Sequence, residues 1–273
     1  MKNTNSYLEG HILYGDDFDA LQVAGWCEDE REGYASLGAA DAEAYNYQYH
    51  AMNIFHGYRH LPAIQFDQVL GFGSAYGHEF LPIAARVGAL TIVDPSDAFT
   101  TSEVYGIPVT YLKPTLDGAL HLPDGAFDLT TCLGVLHHIP NVSFVLGELV
   151  RTMRPGGYML LREPIVSMGD WRKPRKGLTK HERGIPRGVL LDMVSTLGLE
   201  VVRESLCGFP LTTRLFRSCV SGTYNSAIAT RIDAMLCALF AWNVNYHPRS
   251  TLQRLRPTSV FLILRKSLAQ PAD

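Results

Sequence analysis

The run Val69-Leu70-Gly71-Phe72-Gly73-Ser74-Ala75-Tyr76-Gly77, with Val93-Asp94 closing the next apolar run, constrains this chain more than any other feature. An apolar strand that breaks into small residues and then opens a helix lays bare backbone against a ligand. An acidic residue at the tip of the following strand can grip ribose hydroxyls. The pair predicts a parallel α/β unit with a nucleoside-cofactor site at its strand ends. The spacing is G-x-G-x-x-x-G, so Tyr76 stands where a dinucleotide fingerprint has its third glycine, which argues against a nicotinamide cofactor.

From Asp67 onward apolar strands alternate with helical patterns, as a parallel sheet covered on both faces requires. The candidate strands are 68–72, 90–93, 109–112, 127–133, 158–162 and 200–203, followed by Ser259-Val260-Phe261-Leu262-Ile263-Leu264 near the C-terminus. Val142, Val145, Leu146, Leu149, Val150 and Met153 recur at three and four residues, behind Asn141 as N-cap and ahead of Pro155-Gly156-Gly157. Residues 187–197 read as a second helix, stopped by Gly198.

Residues 1–62 form a polar, aromatic-rich helical cap. Ala40 to His60 reads as one or two helices ended by Pro62, with Tyr45, Tyr49, Met52 and His56 along one face. That face either packs on the main domain or covers the cofactor as a lid. The segment 211–257 is longer than an ordinary connection and contains a helix over 232–242. Its apolar run, 234–242, is far shorter than the roughly 20 residues of a membrane-spanning helix and reads as buried or partner-facing.

Further along, Phe127-Asp128-Leu129-Thr130-Thr131-Cys132-Leu133-Gly134-Val135-Leu136-His137-His138-Ile139-Pro140 and Arg154-Pro155-Gly156-Gly157-Tyr158-Met159-Leu160-Leu161 follow the glycine loop. In order and spacing the set resembles class I S-adenosylmethionine-dependent methyltransferases of small-molecule type, closely over about 65–165 and again at the C-terminus. The resemblance implies a doubly wound, Rossmann-like sheet of seven strands, the last antiparallel. The expected organisation is a helical N-terminal cap (1–62), a cofactor-binding core (63–210), a helical insertion over the substrate edge (211–257) and the terminal strand with its tail (258–273).

It also implies S-adenosyl-L-methionine as cofactor and S-adenosyl-L-homocysteine as product. The cofactor would be held by Gly71, Gly73, Ser74, Gly77, Asp94, Pro95 and Leu133. Asp94 would accept the ribose hydroxyls, with Asp117 and Gly118 near the adenine. Two positions depart from the family, which usually has an acid at the position of Gly71 and glycine at that of Ala75. Glu79 could compensate for the first, or serve only as a first-turn acid favoured by the helix dipole. Asp128, at the far end of its strand, reads as structural.

For the acceptor, His137 is a candidate base, since an unperturbed imidazole is largely neutral at pH 7. The same L-H-H-I pattern is common across the family and also reads as loop architecture. Glu163 and Arg162 end a strand over the same edge, so Glu163 is a second catalytic candidate. Tyr49, His138, Arg162, Arg172 and Arg175 are candidate substrate contacts. Arg172 and Arg175 lie in the only dense basic stretch, suited to an anionic acceptor such as a sugar phosphate or nucleotide sugar.

At 273 residues the chain can bury one large core with a modest cap. Its net charge of -3 gives no overall attraction to nucleic acid or anionic membrane. Cys27, Cys132, Cys207, Cys219 and Cys237 lack C-x-x-C spacing, and the N-terminus lacks an apolar signal core, so a reducing cytoplasm is expected. No metal-ligand spacing is visible, and metal-independent methyl transfer to an oxygen, nitrogen or carbon nucleophile of a small molecule is expected. Homodimerisation stays open. Two other readings also stay open, a non-catalytic methyltransferase-like scaffold and an NAD(P)-dependent oxidoreductase.

Overall fold

The computed structural model describes residues 4–35, 47–216 and 222–268. Its centre is a sheet of strands β1 (Phe66–Phe72), β2 (Val87–Val93), β3 (Glu103–Val104), β4 (Ile107–Leu112), β5 (Phe127–Leu133), β6 (Met153–Pro164), β7 (Leu199–Cys207) and β8 (Ser259–Lys266). They lie in the order β3-β4-β2-β1-β5-β6-β8-β7. Strands β4, β2, β1, β5 and β6 run parallel, and β8 enters antiparallel to both β6 and β7. The reversed terminal strand is therefore present, and the sheet has eight strands rather than seven because two-residue β3 pairs antiparallel with β4.

The alternation along each strand divides the core into two layers. In β8, Val260, Leu262 and Leu264 join one layer with Leu70, Cys132, Leu146 and Leu149, while Phe261 and Ile263 join the other with Val69, Phe80, Ile92 and Leu129. A strand buried on both faces must be apolar at every position, which accounts for the unbroken run at the C-terminus. Helix α4 (Val142–Thr152) buries Val142, Val145, Leu146, Leu149 and Val150 along one stripe. Each such side chain contributes about 1.5–3 kcal/mol of burial free energy.

The helix of the first crossover is not α-helical. Residues His78–Arg86 form a 3-10 helix with Pro82 inside it. Proline there has no N–H to donate and its ring crowds the carbonyl four residues back, so α-helical pairing is lost. The cap of α4 also differs from expectation. Asn141 makes no capping bond, and its amide donates instead to the Asp117 carbonyl at 2.7 Å. Asp16, from the N-terminal segment, accepts the Ser143 N–H at 2.7 Å. The Pro155-Gly156-Gly157 break lies inside β6, at an irregularity opposite β5.

The cap comprises α1 (Thr4–Leu8), α2 (Ala20–Ala35) and α3 (His50–His56). Helix α3 ends at Gly57, before Pro62, because the chain there passes against Phe261; a Cβ at Gly57 would stand 2.6 Å from that ring. Met52 and His56 are buried, Tyr49 is only partly covered, and Tyr45 lies outside the described residues. Beyond α5 (Arg187–Thr196) and α6 (Pro210–Leu215), helix α7 spans Ala227–Leu239, with Ser226 capping the Ala229 N–H. It starts earlier and ends earlier than predicted, and a separate 3-10 turn covers 241–243. Helix α7 packs on β7 and α3 and leaves Met235 and Leu239 exposed. No described helix is long and apolar enough to cross a membrane.

Candidate cofactor and acceptor site

The C-terminal ends of β1, β2, β5 and β6 meet at one edge, and the residues singled out in the sequence gather there. After β1 the chain turns through Gly73 at φ 65° and Ala75 at φ 47°. The Gly73 N–H donates to Val93 O at 2.8 Å. Asp94, buried at the tip of β2, accepts from the Ala75 N–H at 3.1 Å and the Ser96 N–H at 3.0 Å. Its carboxylate thus ties the glycine loop to the second strand, and burial raises its pKa. Pro95, beside it, is exposed. Gly77, at φ 70°, precedes the 3-10 helix.

The two family departures have visible consequences. A Cβ at Gly71 would stand 2.4 Å from Ser74 Oγ, so that hydroxyl fills the room a side chain at 71 would take. Ser74 donates to Glu79 Oε1 at 2.6 Å, and Thr131 donates to the same oxygen at 3.1 Å. Glu79 is buried, and burial, opposed by those hydrogen bonds, pushes its pKa up to about 7. A carboxyl group therefore stands behind the loop, reached from the following helix. Ala75 takes the left-handed conformation that glycine adopts without strain.

The adenine candidates are less engaged with this edge. The exposed Asp117 carboxylate accepts from its own turn, from the Thr115 hydroxyl and from the Ala119 N–H at 3.2 Å. Gly118 backs onto Val145, which a Cβ there would meet at 2.5 Å. Asp128 is structural, receiving the Gln68 N–H at 2.9 Å and Arg154 at 2.6 Å.

Beyond β5, His137 and Glu163 are engaged with each other and with the loop that carries His137. Glu163 is fully buried and accepts the N–H groups of Val135 and Leu136, both at 2.8 Å, and of His137 at 3.3 Å. It also lies 2.8 Å from His137 Nδ1. Burial would raise its pKa, but these hydrogen bonds outweigh burial and hold it below the usual carboxylate range. Glu163 therefore organises the loop. The other nitrogen of His137, Nε2, faces Glu182 Oε1 at 3.8 Å, and the ring presents Cε1 toward Gly134. Both ring nitrogens are directed at carboxylates rather than at the strand edge. Arg183, buried, donates to the carbonyls of Leu136, His137, Ile139, Pro140 and Tyr14. His138 tilts against His137 at 3.9 Å between ring centroids and places Nδ1 3.3 Å from Glu30 of α2.

On the acceptor side the basic stretch is self-satisfied. Arg172 is paired with Asp170 at 2.7 Å, and Arg175 donates to the carbonyls of Met168, Thr179, Lys180 and Glu182. The arginine that reaches the edge is Arg162. It donates to Asn53 Oδ1 and to Leu133 O, both at 3.2 Å, and lies 4.1 Å from the Tyr49 ring centroid. The cap helix α3 is thereby fastened to the ends of β5 and β6. Asn53, Arg183, Glu30 and Glu182 carry no local motif, so their roles were not legible before folding. Two open grooves, of about 590 and 520 Å³, lie elsewhere, the first between α3, β7 and α7.

The sheet order with its reversed strand is that of the class I S-adenosylmethionine-dependent methyltransferase fold. Residues 70–161 match the family described as a methyltransferase domain. Among curated proteins, it is 33% identical over 100 residues to a ubiquinone biosynthesis O-methyltransferase of Paramagnetospirillum magneticum, covering 34% of this chain and 38% of that protein. The namesake of Dechloromonas aromatica is 38% identical over 56 residues, covering 20% and 24%. The chain thus spans well under half the length of these relatives. Among solved structures, the [4+2]-cyclase SpnF superposes with a TM-score of 0.53 at 14% identity, covering 92% of this chain and 97% of that one. An S-adenosylmethionine-dependent methyltransferase from Mesorhizobium loti gives 0.50 at 17% identity, covering 76% and 94%. These likenesses concern the fold.

Proposed function

We propose that this protein transfers a methyl group from S-adenosylmethionine to an oxygen of a small-molecule acceptor. The observation that carries the reading is Asp94, buried at the tip of β2 and bonded to the Ala75 N–H of the glycine loop. A carboxylate so placed suits the ribose hydroxyls, and the small-residue loop with Ser74 and Glu79 behind it suits the cationic methionine portion. The donor set therefore fits the cofactor. When bound, the cofactor supplies an already activated methyl on its sulfonium. The protein's part is then mainly alignment, which in a fixed geometry is worth several kcal/mol of barrier. Arg162, held by Asn53 and Leu133 O beside Tyr49, forms an acceptor wall of mixed aromatic and cationic character.

The oxygen nucleophile is favoured by the curated relatives, which are named O-methyltransferases. An anionic sugar acceptor draws less support, because Arg172 and Arg175 are engaged within their own loop. One neighbour is described as a cyclase, so the fold does not choose the reaction. Calorimetry with S-adenosylhomocysteine tests the reading. Micromolar binding that Asp94→Ala weakens more than about tenfold, roughly 1.4 kcal/mol, supports it. Absence of binding to the intact protein overturns it and favours a scaffold role. Tighter binding of a reduced nicotinamide cofactor would favour the oxidoreductase.

A further inference from the structure

Where α2 meets the ligand edge, three side chains from two segments, the adjacent His137 and His138 after β5 and Glu182 before α5, turn metal-ligating atoms toward one another. His137, His138 and Glu182 each place one such atom within 4.8 Å of the other two. His137 Nε2 stands 3.8 Å from Glu182 Oε1. The remaining atoms of these groups are held from behind. Glu163 lies 2.8 Å from His137 Nδ1 and, as a carboxylate, can only accept. The ring proton therefore sits on Nδ1 and the lone pair on Nε2. Glu182 Oε2 accepts the Thr179 N–H at 3.1 Å, which turns Oε1 toward the histidine. Glu30 Oε2 lies 3.3 Å from His138 Nδ1 and orients that ring.

With neutral His137, this arrangement sets a lone pair against a carboxylate oxygen with no hydrogen between them. A cation answers both acceptors.

We propose that His137 Nε2, a ring nitrogen of His138 and Glu182 Oε1 form a site for a divalent transition metal of the zinc class. Two imidazoles and one carboxylate are the ligand set such ions prefer, whereas magnesium and calcium seek oxygen throughout. Glu163 behind His137 Nδ1 is the outer-shell support that metal-binding histidines use. Tetrahedral ligands with bonds of 2.0–2.1 Å stand about 3.4 Å apart, so binding draws these atoms inward from their present spacing. The ion would join the loop after β5 to the loop before α5, beside the contact with α2. Trp26 of α2 already donates to His138 O there at 2.7 Å. The site also adjoins the acceptor edge, since His137 Cε1 is 3.8 Å from where a Cβ of Gly134 would stand. The proposal does not depend on the methyl-transfer reading.

The test is calorimetric titration of the chelator-stripped, desalted full-length protein with Zn²⁺, and in parallel with Mg²⁺. One Zn²⁺ per chain at micromolar affinity or tighter is expected, with no saturable Mg²⁺ binding. Glu182→Gln and His138→Ala should each weaken Zn²⁺ binding by at least the 10–100-fold typical of losing an outer-shell partner. The Co²⁺-loaded protein should lack thiolate charge-transfer absorption, which separates this site from the cysteines. Circular dichroism and a cooperative thermal transition verify that each variant is folded, and should a variant fail to fold, the Co²⁺ spectrum of the intact protein decides. No saturable Zn²⁺ binding, Zn²⁺ affinity unchanged in folded variants, or a thiolate spectrum overturns the proposal.

Discussion

Ser74 Oγ lies 2.6 Å from Glu79 Oε1 and fills the space that a side chain at position 71 would need. The acid that the family usually carries on the loop itself is here approached from the opposite side, by a carboxyl on the following helix.

Gly71→Ala tests that relationship. The added Cβ must displace Ser74 Oγ from 2.4 Å and presses on Phe80 at 3.0 Å. Overpacking of this kind costs about 1–3 kcal/mol. Adding Ser74→Gly should recover more than half of the loss, because the principal clash is gone. Urea unfolding of both singles and the double measures the coupling, and strict additivity would contradict the account.

Ala75 holds φ 47°, where an L-residue is strained by about 1–2 kcal/mol. Ala75→Gly relieves that strain but gives the unfolded chain more freedom, worth about 0.4–1 kcal/mol in the other direction. A net stabilisation of up to about 1 kcal/mol is expected. Cofactor affinity should stay level or rise, because the Ala75 N–H that donates to Asp94 is retained.

Glu79 makes stability depend on pH in a defined direction. Burial pushes its pKa up to about 7 in the folded protein, against an ordinary value of 4.5. Between these values the folded state holds a proton that the unfolded state has lost. The favourable contribution is therefore complete below about pH 4.5 and disappears as pH rises through 7. Thermal unfolding from pH 5 to 8 should show a decline attributable to this group, and Glu79→Gln should flatten it. A cationic ligand beside the carboxylate favours ionisation, so S-adenosylmethionine should bind more tightly as pH rises through 7, in the intact protein but not in Glu79→Gln.

Arg183 is buried among five backbone carbonyls, and burial lowers its pKa to about 10. Arg183→Met leaves those carbonyls without a partner and should cost about 3–5 kcal/mol. Arg183→Lys should recover only part, since three ammonium donors cannot reproduce the planar fork. Chemical denaturation at pH 7 checks both.

The sheet is legible in the linear chain because its signals are local. Unbroken apolar runs, glycines at a strand end and an acid at the next tip are each set by neighbours a few residues away. Pro82 is equally local in its effect, removing an N–H donor inside the first crossover. Tertiary structure decided what depends on distant partners. Glu163 and His137 are matched to each other and to the loop they organise, Arg172 and Arg175 are spent on their own segment, and Asp16 caps a helix more than a hundred residues away. Charged side chains can serve many partners, and which partner each meets is chosen only when folding removes water and requires every buried polar group to be satisfied.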